Sequence, residues 1–250
     1  MKLITILFLA STLLAQAALN VTVGDISDKR TTGKFFQGLD VELKISGPEM
    51  ANCKGVRVVL KKAKDDSGKA IPEKESMFND GRFSEPQKAF GGFNNGKKKE
   101  FDEYQLKLEL ENPDRSAKSL TVDATVELLV PSQDPNSILT VEVAKVADQP
   151  LAHDGLKATG ATITFKAPTA DRAAYTISDP NGKIASIEFC SPDGKPLETN
   201  GRMSSNFSGS KSININLRNK APAGMVAKIY LITDKSIVSA PVKLSGVALP

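Results

Sequence analysis

One histidine, two cysteines and no tryptophan bound the chemistry open to this chain of 250 residues. His153-Asp154 is an imidazole with a neighbouring carboxylate, two parts of a Ser–His–Asp relay. The third part needs a serine within hydrogen-bond reach, and no G-x-S-x-G nucleophile elbow supplies one. Ser208-Gly209-Ser210-Lys211 matches S-x-x-K, in which a lysine deprotonates a serine nucleophile. The companion motifs S-D-N and K-T-G are missing, and the segment reads as a Ser/Gly turn before a strand. A single imidazole excludes H-E-x-x-H and three-histidine zinc centres. Two thiols cannot complete a four-cysteine zinc or iron–sulfur site. No catalytic residue, metal ligand or cofactor site is assigned on these grounds, and the chain is expected not to be an enzyme.

Binding chemistry has a better candidate. Between Phe78 and Tyr104 lie Phe78, Phe83, Phe90, Phe93, Phe101 and Tyr104, interleaved with Arg82, Lys88, Lys97, Lys98 and Lys99 and with glycines at 81, 91, 92 and 96. We read 76–103 as a long Gly-rich loop, with Phe78, Phe83, Phe90, Phe93, Lys97, Lys98 and Lys99 as its candidate partner-binding residues. The competing reading folds those aromatics back onto the core. Asp65-Asp66, and Asp179 with Asn181, are acidic turns without the ligand spacing of an EF-hand, and they read as solvated turns. Cys53 precedes one strand and Cys190 ends another. They are candidates for one disulfide, provided that the two parts of the chain touch there.

The elements that must position these residues are strands. Leu39, Val41, Leu43 and Ile45 alternate with polar residues, as do Tyr104 to Leu110, Leu120 to Leu128, and Ile213 to Leu217. Successive side chains of a strand face opposite ways, so each run has one apolar and one wet face. That is the signature of antiparallel sheets packed on one side. Weaker runs fall at 21–23, 56–61, 139–146, 161–166, 174–178, 183–189, 226–233 and 236–244. Turns such as Asn94-Asn95-Gly96 and Ser191-Pro192-Asp193-Gly194 separate them. No window of a dozen residues after the leader carries a helical stripe. Short helical turns fit only near Ser76 and at 152–157.

Hydrophobic residues are 40% and charged residues 25%, the balance of a globular chain. Thirty-three Lys+Arg against 29 Asp+Glu leave a formal charge of +4, too mild and dispersed to point to nucleic acid. Met1-Lys2, the apolar run from Leu3 and Ala15-Gln16-Ala17 read as a secretory leader, 1–17, cleaved after Ala17. Its apolar core is shorter than a spanning helix needs. Pro131-Ser132-Gln133-Asp134-Pro135-Asn136 reads as a linker, because each proline interrupts a ladder. We therefore expect an all-β protein of two tandem antiparallel β-sandwich domains, 18–130 and 137–250, joined by 131–136. The alternation resembles that of secreted bacterial immunoglobulin-like or fibronectin-III-like modules, over the whole mature chain and by pattern alone. The buried tryptophan and paired cysteines of antibody domains are missing. The expected role is a non-catalytic binding or structural module, secreted or periplasmic and not membrane-spanning, with an envelope or extracellular protein or polysaccharide as partner. The alternatives are a carbohydrate-binding module and a hydrolase on an all-β scaffold.

Overall fold

The computed structural model describes residues 19–250 apart from 32, 34–35, 75–80, 95–96 and 208, and describes by backbone alone the rest of 89–102, and 207. The leader 1–17, Phe78, Ser208 and the turn expected near Ser76 lie outside the described residues. The fold is mostly β, with antiparallel sheets throughout. Its strands are β1 (Asn20–Lys29), β2 (Gly38–Ser46), β3 (Gly55–Asp65), β4 (Gln87–Asn94), β5 (Lys97–Leu110), β6 (Ser119–Leu129) and β7 (Ile138–Glu142). They continue as β8 (Thr162–Phe165), β9 (Arg172–Ser178), β10 (Ile184–Cys190), β11 (Thr199–Phe207), β12 (Ser210–Leu217), β13 (Val226–Leu231) and β14 (Ile237–Ala248). The described helices are short turns, among them Val143–Val146 and Asp154–Lys157. No helix among the described residues is long and apolar enough to cross a membrane.

Alternation decides which face goes inside. Leu120, Val122, Ala124, Val126 and Leu128 of β6 are all buried, while the intervening polar residues keep partial contact with water. They meet Leu39, Val41, Leu43 and Ile45 of β2 and Leu108 and Leu110 of β5 in one core cluster. Each Val, Leu or Ile among them contributes about 1.5–3 kcal/mol by leaving water. The sheet β1-β2-β5-β4 thus shares a core with the sheet β14-β6-β3. A separate cluster joins the sheet β11-β12-β9-β8 to the sheet β10-β13-β7. At its centre Phe165, Tyr175 and Phe189 pack with ring centroids 6.0–6.1 Å apart in tilted and edge-on pairs.

The run read as a strand at 139–146 ends in the helical turn Val143–Val146, and two larger features also depart from the sequence reading. The expected loop 76–103 is largely a hairpin, in which β4 and β5 pair with Asn94 opposite Lys97. Its glycines and lysines mask the alternation, but Asn-Asn-Gly between two extended runs is a hairpin turn signal. The last strand also does not stay with the segment 137–250. β14 lies along β6, from Ile237 beside Leu129 to Ala248 beside Ser119. Val242 enters the first core cluster, and Val238 and Leu244 pack against it. β7 in turn lies along β13, with Ile138 opposite Tyr230.

The connectors that carry this crossing are polar and tightly bonded. After β6, two 3-10 turns start at Pro131 and Pro135, where a proline's missing N–H leaves no extra donor unpaired. After β13, Asp234–Ser236 forms a turn capped reciprocally by Thr233 and Ser236. The two connectors touch. Val130 N donates to Ser236 O at 2.7 Å, and Thr233 Oγ1 donates to Asp134 Oδ2 at 2.6 Å. Ser137 Oγ donates to the carbonyls of Asp134 and Pro131. Asp134, Ser137 and Ser236 are all buried, which is tolerable only because each is hydrogen-bonded. The bond from Thr233 and the backbone N–H of Asn136 hold the Asp134 carboxyl below the usual carboxylate range.

Candidate functional site: a cleft between the two sheet pairs

Phe83 marks the site. Within the segment read from the sequence as a loop, its side chain is described and half-buried. It stands in a short stretch, 81–86, pinned to the outer edge of β3. Ser84 and Val56 exchange backbone hydrogen bonds at 2.9 and 2.8 Å. The Arg57 guanidinium lies 4.4 Å from the Phe83 ring centroid and also donates to Gly81 O at 3.1 Å. Glu127 fixes that guanidinium through a 2.7 Å bond to Nε. Gly55 makes the close approach feasible, because a Cβ there would stand 2.8 Å from that of Phe83.

Across from Phe83 lie strands of the second sheet pair. Two adjoining hollows of about 780 and 790 Å³ run between Phe83 and the segment Ala185–Ile187 of β10, and both also reach Arg202 of β11. β10 and β11 are the outermost described strands of their sheets. The end of β10 is already taken by the segment 195–197, where Leu197 N donates to Phe189 O at 2.9 Å and Ser191 N to Lys195 O at 2.9 Å. β10 therefore brings an open edge to this cleft only ahead of Phe189. Arg202 donates to the buried Tyr175 hydroxyl at 3.3 Å, and burial raises the Tyr175 pKa despite that guanidinium.

One end of the cleft is closed by charge. Lys54 Nζ reaches Glu188 Oε1 at 3.2 Å and lies 5.1 Å from the Tyr230 ring centroid. Tyr230 donates its hydroxyl to Glu188 Oε2 at 2.7 Å. Burial first, and then the Glu188 carboxylate, push the Tyr230 phenol far above its ordinary range. Cys190 Sγ is 4.0 Å from the same carboxylate oxygen. Burial and that charge raise its thiol pKa.

The sequence's other candidates scatter. Phe90, Phe93, Lys97, Lys98 and Lys99 stand on the β4–β5 hairpin, with Phe93 opposite Lys98. Their side chains lie outside the description. Cys53 and Cys190 are both free thiols here, so the candidate disulfide is not formed. Cys53 donates to Gly55 O at 3.1 Å, and burial raises its pKa too. The two do bracket the Lys54–Glu188 pair, Cys53 next to the lysine in sequence and Cys190 beside the carboxylate in space.

His153 Nδ1 accepts from Gly155 N at 3.1 Å as a helix cap, and Asp154 pairs with Lys157 at 2.9 Å. The acidic turns are occupied by their own backbone. Asp65 accepts from Ser67 N and Lys69 N, and Asp179 from Lys183 N and Ile184 N. Among the described residues no group of three or more metal-ligating side chains converges.

Sequence reasoning missed Lys54, Glu188, Arg202 and Tyr230. Lys54 and Glu188 are distant in sequence, and Arg202 sits on β11, whose Thr199–Phe207 run has no alternation to announce a strand. Compared with known proteins, the chain matches no family model, no curated protein and no solved structure.

Proposed function

We propose that the chain is a non-catalytic binding module acting outside the cytoplasm, built as two immunoglobulin-like sandwiches, and that its site is the cleft at Phe83. The strand orders support this architecture. In the constant-type immunoglobulin sandwich, strands A, B, E and D form one sheet and C, F and G the other. Taking β1 to β6 as A to F, the first sheet pair has that order with β14 as G. Taking β8 to β13 as A to F, the second has it with β7 as G. The leader at 1–17 carries the reading that the protein is secreted or periplasmic.

The observation that carries the binding reading is the pair of outer strands, β10 over Ala185–Ile187 and β11, lining the cleft across from an anchored aromatic. An extended protein segment added to such an edge gains main-chain hydrogen bonds, and neighbouring hollows accept its alternate side chains. Phe and Arg, the types of Phe83 and Arg202, are both enriched at interfaces, and Arg is among the types that dominate binding energy there.

The test is a capture experiment from the source organism's envelope and secreted fractions, using the chain from Ala18. A variant with Phe83→Ser and Arg202→Ser, shown folded by circular dichroism, should lose a saturable protein partner. A second variant, Phe90→Ser with Phe93→Ser, should retain it. Loss in the second variant alone moves the site to the β4–β5 hairpin. Retention of both variants on insoluble polysaccharide, without a protein partner, overturns this reading in favour of a carbohydrate-binding module.

A further inference from the structure

β7 and β14 occupy equivalent places. Each follows directly on a sixth strand, β6 or β13, and each lies on the other unit's sixth strand rather than on its own. In chain order the strands would make two complete sets of seven, β1–β7 and β8–β14. The structure instead exchanges the two seventh strands within one molecule. We propose that a second copy of this chain is a partner of this protein, joined by the same exchange of seventh strands between molecules. The inference rests on the strand pairing and is independent of the cleft.

Every contact that seats β14 on β6 is available unchanged in a pair of copies. The register from Ile237–Leu129 to Ala248–Ser119, the bulge between Leu244 and Val247, and the entry of Val242 into the core all stay as they are. Exchange of an identical element between protomers costs little for that reason. The connector chemistry favours crossing over hairpins. Val130–Ser137 holds two prolines in separate 3-10 turns, and neither turn reverses β6 onto itself. Such a strand leaves its own unit and pairs elsewhere.

Folding supplies the opportunity. About a hundred residues separate β14 from β6, so the loop it must close is long and closes slowly. Until it arrives, β6 has β3 on one side and an open edge on the other. An open edge is a template for any matching strand, and the best match on offer is β14 of a neighbouring copy. The bonded connectors then hold the outcome, because undoing the crossing requires both sheet pairs to open.

The partition is between a unimolecular and a bimolecular closure. With a within-chain effective concentration on the order of 1 mM, the exchanged dimer takes about one per cent at ~10 µM chain and about a fifth at ~300 µM.

Two single-cysteine variants read it directly. Both carry Cys53→Ser and Cys190→Ala. One adds Asp123→Cys on β6 and the other Lys243→Cys on β14, residues directly opposite in the ladder. The two are unfolded together, refolded at rising concentration and oxidised with copper phenanthroline. Within one molecule neither has a partner, so only exchange between molecules gives the mixed disulfide. A mixed dimer that grows with refolding concentration and persists on dilution supports the proposal. Absence of the dimer at every concentration overturns it. So does equal cross-linking in a control mixture of Lys243→Cys with Lys228→Cys. Should the variants fail to fold, light scattering on the unaltered chain refolded over the same range decides it. A concentration-dependent species of twice the mass with an unchanged circular dichroism spectrum supports the exchange, and monomer alone overturns it.

Discussion

Glu188 serves three groups at once. It pairs with Lys54 across the seam, accepts the Tyr230 hydroxyl, and lies against the Cys190 thiol. Its charge acts in a definite direction on the last two, raising both pKa values because a second negative charge beside a carboxylate is disfavoured. The chain has three tyrosines, and Tyr230 carries the largest upward shift. Burial raises the Tyr175 phenol too, so in a phenolate absorbance titration of the native protein two phenols should lag, and the last, Tyr230, should stay protonated well beyond the ordinary value near 10. Replacing Glu188 by Gln keeps an acceptor for the hydroxyl and removes the charge, so that phenol should titrate earlier. A group with a raised native pKa stabilises the fold below its unfolded value and loses that contribution as pH rises through the native one, so alkaline unfolding should accompany the titration. Identical curves for the two proteins would show that Glu188 does not bear on Tyr230.

Strands differed in how openly the sequence announced them. β2, β6 and β12 were legible because each alternates apolar and polar residues over a full run, and those apolar residues are the ones found buried. β11 was not, because Thr199–Phe207 is polar on both faces and its Met203 is exposed. Period-two patterning reports which face meets a core, and β11 presents little apolar surface to one. The linker at 131–136 was legible from its prolines, but the strand each connector leads to was not. Alternation states that β14 needs an apolar neighbour and is silent on which. Pro241 fits an edge strand, where a missing N–H breaks no ladder, and Gly246, at φ 64°, accommodates the nearby bulge. What fixes the crossing lies in the connectors, above all Asp134. Its carboxyl is held below its unfolded value by Thr233 and the Asn136 N–H. It therefore stabilises the fold above about pH 4, and that contribution drains away as pH falls through the native value. Asp134→Asn should lower the urea midpoint at pH 7 and flatten its decline between about pH 5 and 3. The slope should shrink rather than vanish, since Asp65 is depressed in the same sense by its Ser67 bonds.

At the scale of the molecule, the exchange joins two cores that share no buried side chain. Consecutive sandwiches on one chain usually unfold as separate units, because few contacts cross between them. Here the first core needs β14, whose chain arrives from the second sheet pair, and the second sheet pair needs β7, whose chain arrives from the first. Opening either one releases a connector hydrogen-bonded to the other, and the Lys54–Glu188 pair and the Asp134–Thr233 bond go with it. The two cysteines report on this coupling separately. Cys53 packs against the first core, and Cys190 is fully buried on β10, whose Ile187 and Phe189 enter the second. In pulsed thiol labelling at increasing urea, resolved by peptide mass spectrometry, the protection of the two should fall at one midpoint with one slope, since the slope tracks the surface exposed in the opening. Two midpoints, with Cys53 and Cys190 released at different urea concentrations, would mean that each sheet pair holds its borrowed strand too loosely for the exchange to unite them. A single midpoint that splits in two when Thr233→Val removes the donor to Asp134 would place the coupling in the connectors rather than in the strands themselves.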